Sequence, residues 1–230
     1  MDDYSTISPV DDAILSRRSC RSYLDRPVPA STVREILDLA AHAANGHNAQ
    51  PWKVEVLSGQ SLKRFCEETM AVFEDKAGYR QLLESSNMFL ADWSGPYMER
   101  RRETGRLLFD SLGIKRDDVE TRYAQMGLNY SFFGAPVGLV IGVEKAMERS
   151  TLEIGMFAQT LMIAARARGL DTCTQAAFAI IGSKVREILG LPEGFRILCG
   201  MALGYADEAH PVNSFRTPRL RSDQFATFHD

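Results

Sequence analysis

The chain has few cysteines and few histidines, and neither set is clustered. Cys20, Cys66, Cys173 and Cys199 stand far apart with no C-x-x-C pair. That spacing excludes a disulfide framework or a zinc-ribbon pattern, and a reduced, cytoplasmic protein is expected. His42, His47, His210 and His229 are equally dispersed, so no metal is expected. No charge-free apolar run reaches the length of a membrane span. Met1–Ser5 is acidic and lacks a basic stretch leading into an apolar one, so no secretory leader is expected. A formal net charge of −3 argues against a general nucleic-acid binder. There is no internal repeat, and no Ser/His/Asp or Cys/His arrangement that suggests nucleophilic catalysis.

What is present is an ordinary globular composition, with 45% apolar and 25% charged residues over 230 positions. One domain, 1–230, is expected. It would carry a helical lid or insertion at about 61–130 and a C-terminal arm at about 210–230.

The chain is organised around Arg17-Arg18-Ser19-Cys20-Arg21. Ser8 as N-cap, Pro9 at the first helical position, and Asp11 and Asp12 in the first turn predict a short helix that ends at this cluster. Planar guanidinium groups suit a phosphate. The competing reading is a solvated basic helix end that favours the C-terminal dipole.

A helix is expected over 31–44, with Thr32 and Glu35 as a capping box and Val33, Ile36, Leu37 and Ala40 on one face. It dissolves into Asn45-Gly46-His47-Asn48-Ala49-Gln50-Pro51-Trp52. That loop offers amides and close backbone approach, and suits either the edge of a heterocycle or a plain polar turn. Residues 52–57 alternate and predict a strand with one wet face. Gly95-Pro96 and Gly113 divide 61–130 into separate helices. Within this region 99–103 reads as a solvated face, and Met70, Phe73, Tyr79, Phe89, Trp93, Tyr97 and Phe109 read mostly as core. The continuous apolar run 137–143 predicts a central strand, and 195–204 a further apolar strand. Residues 151–167 are apolar on most sides and predict a buried helix ended by Gly169, with room for a second subunit. A short helix is expected over 183–189. The tail from His210, with Arg216, Arg219 and Arg221, lacks apolar periodicity and must fray or lie along another surface.

Five stretches, in order, resemble the FMN-dependent nitroreductase family. They are Arg17–Arg21, Asn48-Ala49-Gln50-Pro51-Trp52, Phe133-Gly134-Ala135-Pro136-Val137, Gly169-Leu170-Asp171-Thr172-Cys173-Thr174-Gln175-Ala176 and Phe215-Arg216-Thr217-Pro218-Arg219. The last is similar to a nitrobenzoate reductase-like subgroup. The resemblance implies an α+β fold with a mixed, mostly antiparallel central sheet flanked by helices. It also implies an interlocked homodimer with two FMN sites at its interface. Arg17, Arg18, Ser19 and Arg219 would then hold the FMN phosphate, with Arg216 as a further candidate. Arg21 would stand at the pyrimidine edge, where a fixed cation stabilises the charge of reduced flavin. Asn48 and Gln50 would contact the ring edge or ribityl chain, and Asn45, Gly46 and His47 would come from the other subunit. Backbone groups around Thr174, Gln175 and Ala176 would face the N5 side. The family often has Pro-Ser-Ser/Gly-Ser-Asn before Gln-Pro-Trp, where this chain has Ala44, Asn45, Gly46 and His47, and Thr174 replaces a frequent proline.

The implied activity is NADPH- or NADH-dependent, ping-pong, two-electron reduction of a nitroaromatic or quinone-like small molecule. No nucleic-acid or membrane partner is implied. The alternatives are a reductive dehalogenase or enone reductase on the same scaffold, a non-catalytic flavin-binding module, and a helical interaction protein without cofactor.

Overall fold

A computed structural model of the chain describes residues 8–86 and 93–229. Met1–Ser5 and Phe89 lie outside the described residues.

The first helix, α1 (Pro9–Ser16), is capped as its sequence predicts. Asp11 N–H donates to Ser8 Oγ at 3.1 Å, and Ser8 N–H donates to Asp11 Oδ2 at 3.3 Å. Helix α2 (Ala30–Ala40) starts and ends earlier than 31–44. The Thr32/Glu35 capping box does not form. The helix begins directly after Pro29, whose carbonyl accepts from Val33 N–H at 3.2 Å, so Thr32 is already inside the first turn. Val33, Ile36 and Ala40 are buried as expected.

Strand β1 (Lys53–Ser58) leads into four helices: α3 (Gly59–Glu74), α4 (Lys76–Ser85), α5 (Gly95–Ser111) and α6 (Val119–Gly127). Gly95 and Pro96 open α5, and Gly113 follows its end. Phe73, Tyr79 and Phe109 are buried, but Trp93 and Tyr97 are 46% and 66% exposed. These two rings are not core. Their faces take guanidinium groups instead, Arg101 over Trp93 at 5.7 Å and Arg100 over Tyr97 at 5.0 Å.

The remaining elements are β2 (Val137–Val143), α7 (Thr151–Arg166), β3 (Asp171–Gln175), α8 (Ala177–Ile180), α9 (Gly182–Leu189) and β4 (Arg196–Gly204). The sheet order is β1-β2-β4-β3, with every strand pairing antiparallel. Strand β2 is buried along its whole length and central, as its apolar run requires. Strand β3 was not legible in the sequence, since Asp-Thr-Cys-Thr-Gln has too little apolar signal to mark one. Its outer edge carries a parallel bridge between Ser19 and Thr172, with Cys20 N–H donating to Thr172 O at 3.0 Å. The four strands themselves pair antiparallel throughout, so the sheet is antiparallel rather than mixed, and this isolated bridge places the arginine cluster beside β3.

Each face of the sheet buries its own core. On one, Ile36 of α2 and Phe157 and Leu161 of α7 meet Leu139, Ile141 and Met201. On the other, Phe65 of α3, Phe132 and Phe178 meet Val140 and Ala202. This second face is built on missing side chains. A Cβ on Gly138 would collide with the Phe132 ring, and one on Gly200 with Phe178. The two rings stack at 4.7 Å.

Gly169, at φ 71°, closes α7 in Schellman fashion, with Leu170 N–H on Ala165 O and Gly169 N–H on Arg166 O, both 3.0 Å. Helix α7 keeps one open side, where Leu152 is 71% exposed. The C-terminal segment first docks on its own chain. Val212 and Asn213 are buried, and Asn213 Nδ2 donates to the carbonyls of Ser22 and Asp207, each at 2.9 Å. All four cysteines are free. Among the described residues no helix is long and apolar enough to cross a membrane.

Candidate functional site

Arg17, Arg18, Ser19, Arg21, Arg216 and Arg219 all line one cavity of about 670 Å³. Some 200 residues separate its two halves in the chain. The fold joins them because α1 ends at the sheet edge, and because the tail is pinned beside it. Arg21 N–H donates to Asn213 Oδ1 at 2.9 Å, and Arg216 Nη1 donates to the last carbonyl of α1, Ser16 O, at 2.9 Å. The Arg219 guanidinium is aimed by its own turn, with Nη1 on Thr217 Oγ1 at 2.6 Å and on Thr217 O at 3.1 Å. Ile14, Leu15 and Phe215 supply an apolar wall, and Thr104 reaches in from α5.

The cluster is short of negative charge. Burial lowers the pKa of Arg17, and the neighbouring Arg219 and Arg216 lower it further. Of the five arginines only Arg18 has an acid partner among the described residues, Glu208. Arg18 is the more enclosed of the two, at 15% side-chain exposure against 66% for Glu208. Its pKa is pulled down by burial and up by Glu208, with a net rise, and the Arg18 hydrogen bond holds Glu208 below the usual carboxylate range. Arg18 lines the cavity, and its Nε is buried with no hydrogen-bond partner among the described residues. Behind the cavity, Arg166 ties α7 to α1 and β3. Its Nε donates to Ser16 Oγ at 3.0 Å and its Nη1 to Asp171 Oδ2 at 2.9 Å. Burial pushes the Asp171 carboxyl up, against the pull of Arg166 and Arg18. The supporting residues Ser16, Arg166, Asp171, Glu208 and Asn213 carry no local sequence signal. They are set by tertiary contacts alone.

The loop residues Asn45, Gly46, His47, Asn48 and Gln50 do not line this cavity. They form a braced and strained turn. His47, Asn48 and Gln50 stand at φ 53°, 55° and 47°, in the left-handed region that non-glycine residues avoid. Asn45 Oδ1 accepts from Gln50 N–H at 2.9 Å, and Asn45 Nδ2 donates to Ala43 O at 3.1 Å. Strain of this kind persists where the surroundings over-determine it, often at functional sites. All but Asn45 are exposed.

Thr174, Gln175 and Ala176 form the end of β3 and the turn into α8. Thr174 and Ala176 are exposed, whereas Gln175 is buried. Gln175 Nε2 donates to Asn129 O at 2.6 Å, and its Oε1 has no partner among the described residues. Beside this turn opens a larger cavity of about 950 Å³ between α4, α5 and α6, reached by Ala177 and Ile180 of α8. Tyr79 and Phe73 of its walls are apparent in the sequence as bulky apolar residues, but no periodicity encodes the cavity.

The nitroreductase family model, described as "Nitroreductase family", matches residues 14–205. The chain is 40% identical over 225 residues to a protein of Nocardioides sp. (strain LMS-CY) named 4-nitrobenzoate reductase, covering 96% of this chain and 90% of that one. It is 35% identical over 220 residues to the nitrobenzene nitroreductase of Ectopseudomonas oleovorans, covering 95% and 96%. Its fold superposes with a TM-score of 0.88 on the FMN-dependent nitroreductase NfnB of Mycobacterium smegmatis, solved in complex with NADPH. That protein is 30% identical, with 96% of this chain and 98% of that one covered. The α+β architecture, the ordered motifs and these matches over nearly the full length agree: the chain belongs to the nitroreductase family.

Proposed function

We propose that the protein is an FMN-dependent NAD(P)H oxidoreductase that reduces nitroaromatic acceptors. The observation that carries this reading is the convergence of Arg17, Arg18, Arg21, Arg216 and Arg219 on one cavity with too little acid to balance them. A phosphate is the ligand that such a cluster fits, and the buried, orphaned Arg18 Nε supplies one unused donor for it. Bound FMN supplies the two-electron chemistry, exchanging hydride between NADPH or NADH and the acceptor. The balanced reaction is ArNO2 + NAD(P)H + H⁺ → ArNO + NAD(P)⁺ + H2O.

The chain's own residues position and tune. Arg17, Arg18, Ser19 and Arg219 hold the phosphate, with Arg216 fixed beside them by Ser16 O. Arg21 stands two residues past Ser19 of the Ser19–Thr172 bridge, its backbone locked by Asn213, and serves as the fixed cation at the pyrimidine edge. Asn48 and Gln50 contact the ring edge or ribityl chain. Backbone groups around Thr174, Gln175 and Ala176 would face the N5 side, since the Gln175 side chain is buried against Asn129 O.

A homodimer completes the reading. The open side of α7 carries a groove of about 550 Å³ lined by Leu152, Gly155, Met156, Thr160 and Ala44, next to the strained 45–50 loop. The distal tail leaves Phe225 and Phe228 69% and 82% exposed. A second copy of the chain covers both surfaces, and brings Asn45, Gly46 and His47 to its neighbour's flavin.

The test is an absorption spectrum of the purified protein, then anaerobic NADPH or NADH. Yellow protein that bleaches, then recolours on addition of a nitroaromatic, is the expected result. Protein that is colourless and takes up no FMN ends this reading; yellow protein that no nicotinamide donor bleaches makes it a binding module. For Arg21→Gln, FMN stays bound and its midpoint potential falls, as read by spectroelectrochemical titration. An unaltered potential would put Arg21 away from the ring.

A further inference from the structure

We infer that the 950 Å³ cavity between α4, α5 and α6 is an acceptor pocket for aromatic acids, with Lys76, Arg80 and Arg101 at its rim as the carboxylate-binding and specificity-determining residues. This rests on the reading of the chain as a nitroaromatic reductase.

Three observations support it. First, the walls are aromatic: Phe73, Tyr79, Tyr123 and Tyr130 line the cavity, and Phe73 and Tyr123 stack at 4.3 Å. Flat faces of this kind take a flat ring. The volume falls in the range of small-molecule sites, roughly 300–1,000 Å³. Second, the rim is cationic. Lys76 and Arg80 lie one turn apart on α4, and Arg101 faces them from α5. Glu84 and Glu120 also line the cavity, but none of the three cations forms an ion pair with an acid among the described residues. Lys76 Nζ lies 5.2 Å over the Tyr123 ring, and Arg101 over Trp93, so two of the cations are held by ring faces rather than by carboxylates. Third, the cavity adjoins the turn proposed to face N5. Ala177 and Ile180 form part of its floor, and Asn129, another lining residue, is tied to Gln175.

Family membership does not decide between acceptors, since one relative is named for an acid and another for a neutral compound. The lining does: an aromatic slot with three cations against Glu84 and Glu120, none of the three ion-paired among the described residues, favours the anion. The cavity shares no lining residue with the arginine cavity, so the two anion-binding surfaces are separable by mutation.

Arg80 and Arg101 are exposed, so their replacement spares the core. In the holoenzyme, Arg80→Gln and Arg101→Gln each raise KM for 4-nitrobenzoate about tenfold, the loss expected for one charge-assisted contact. The kcat/KM ratio of 4-nitrobenzoate over nitrobenzene falls by the same factor. Arg80→Lys recovers most of the loss. Calorimetric titration of the oxidised holoenzyme with benzoate, which cannot be reduced at a nitro group, shows the same weakening without turnover. If the double variant keeps both the ratio and the benzoate affinity, the inference is overturned. If KM rises for NADPH and not for 4-nitrobenzoate, the rim reads the donor and the inference is equally overturned. Wild-type protein that binds benzoate but reduces neither nitro compound would end the reductase reading while supporting the anion pocket. Wild-type protein that reduces both equally would end the anion pocket alone.

Discussion

Replacing Arg219 with alanine is expected to weaken FMN binding roughly 10- to 100-fold. This corresponds to the ~1.5–3 kcal/mol of a charge-assisted hydrogen bond to phosphate. The physical reason lies in how the residue is held. Arg219 is exposed, yet its guanidinium is fixed by Thr217 and Pro218, so little side-chain freedom remains to be lost on binding. It also faces Arg17 closely enough to lower that residue's pKa. Two like charges are held together without an acid partner among the described residues, and a phosphate between them relieves the repulsion. Quenching of flavin fluorescence on titration into apoprotein reads the effect. Riboflavin, which lacks the phosphate, provides the control: its affinity does not change between wild type and Arg219→Ala. Equal FMN affinity in the two proteins would remove Arg219 from the phosphate site.

Phe178→Ala is expected to cost ~3–5 kcal/mol of folding stability, the usual range for deleting a fully buried ring. Phe178 is 0% exposed and meets three other rings, with Phe132 at 4.7 Å, Phe65 at 5.7 Å and Tyr130 at 5.6 Å. Beneath it lies Gly200, which has no side chain to move into the space left behind. The cavity therefore stays open and its full cost is retained. Since whole domains are stable by only about 5–15 kcal/mol, the urea midpoint should fall by a large fraction of its value. Gly200→Ala probes the same contact from the other side, because its new methyl would occupy the ring's place, and it too destabilises. A Phe178→Ala protein that unfolds at the wild-type midpoint would mean the ring is not packed as described. Phe178 also seats α8 directly after the 174–176 turn, so the loss should extend to the floor of the aromatic cavity.

Much of the scaffold was readable from local patterns. The Ser8-Pro9 cap, the all-apolar run of β2, the buried face of α2 and the Gly169 stop each follow from rules that act within a few residues, and each stands in the structure. Misreadings came where a neighbouring element overruled the local signal. The Thr32/Glu35 box yielded to a helix start fixed by Pro29. Trp93 and Tyr97, apolar enough for a core, lie on the surface against arginines. Strand β3 has polar alternate residues and takes its conformation from pairing with β4 and from the Ser19 bridge.

The sequence by itself determined the helices and apolar strands, the residue types of the anion site, and the ordered motifs that mark the family, because these depend on spacing along the chain. Only the tertiary structure decided that Arg17 and Arg219 share a cavity, that Asn213 holds Arg21, that Gly138 and Gly200 seat aromatic rings, and that Lys76, Arg80 and Arg101 ring an aromatic pocket. Each of these joins residues that no periodicity relates. They meet because burying two faces of one twisted sheet forces the chain ends and the inserted helices to particular edges of it.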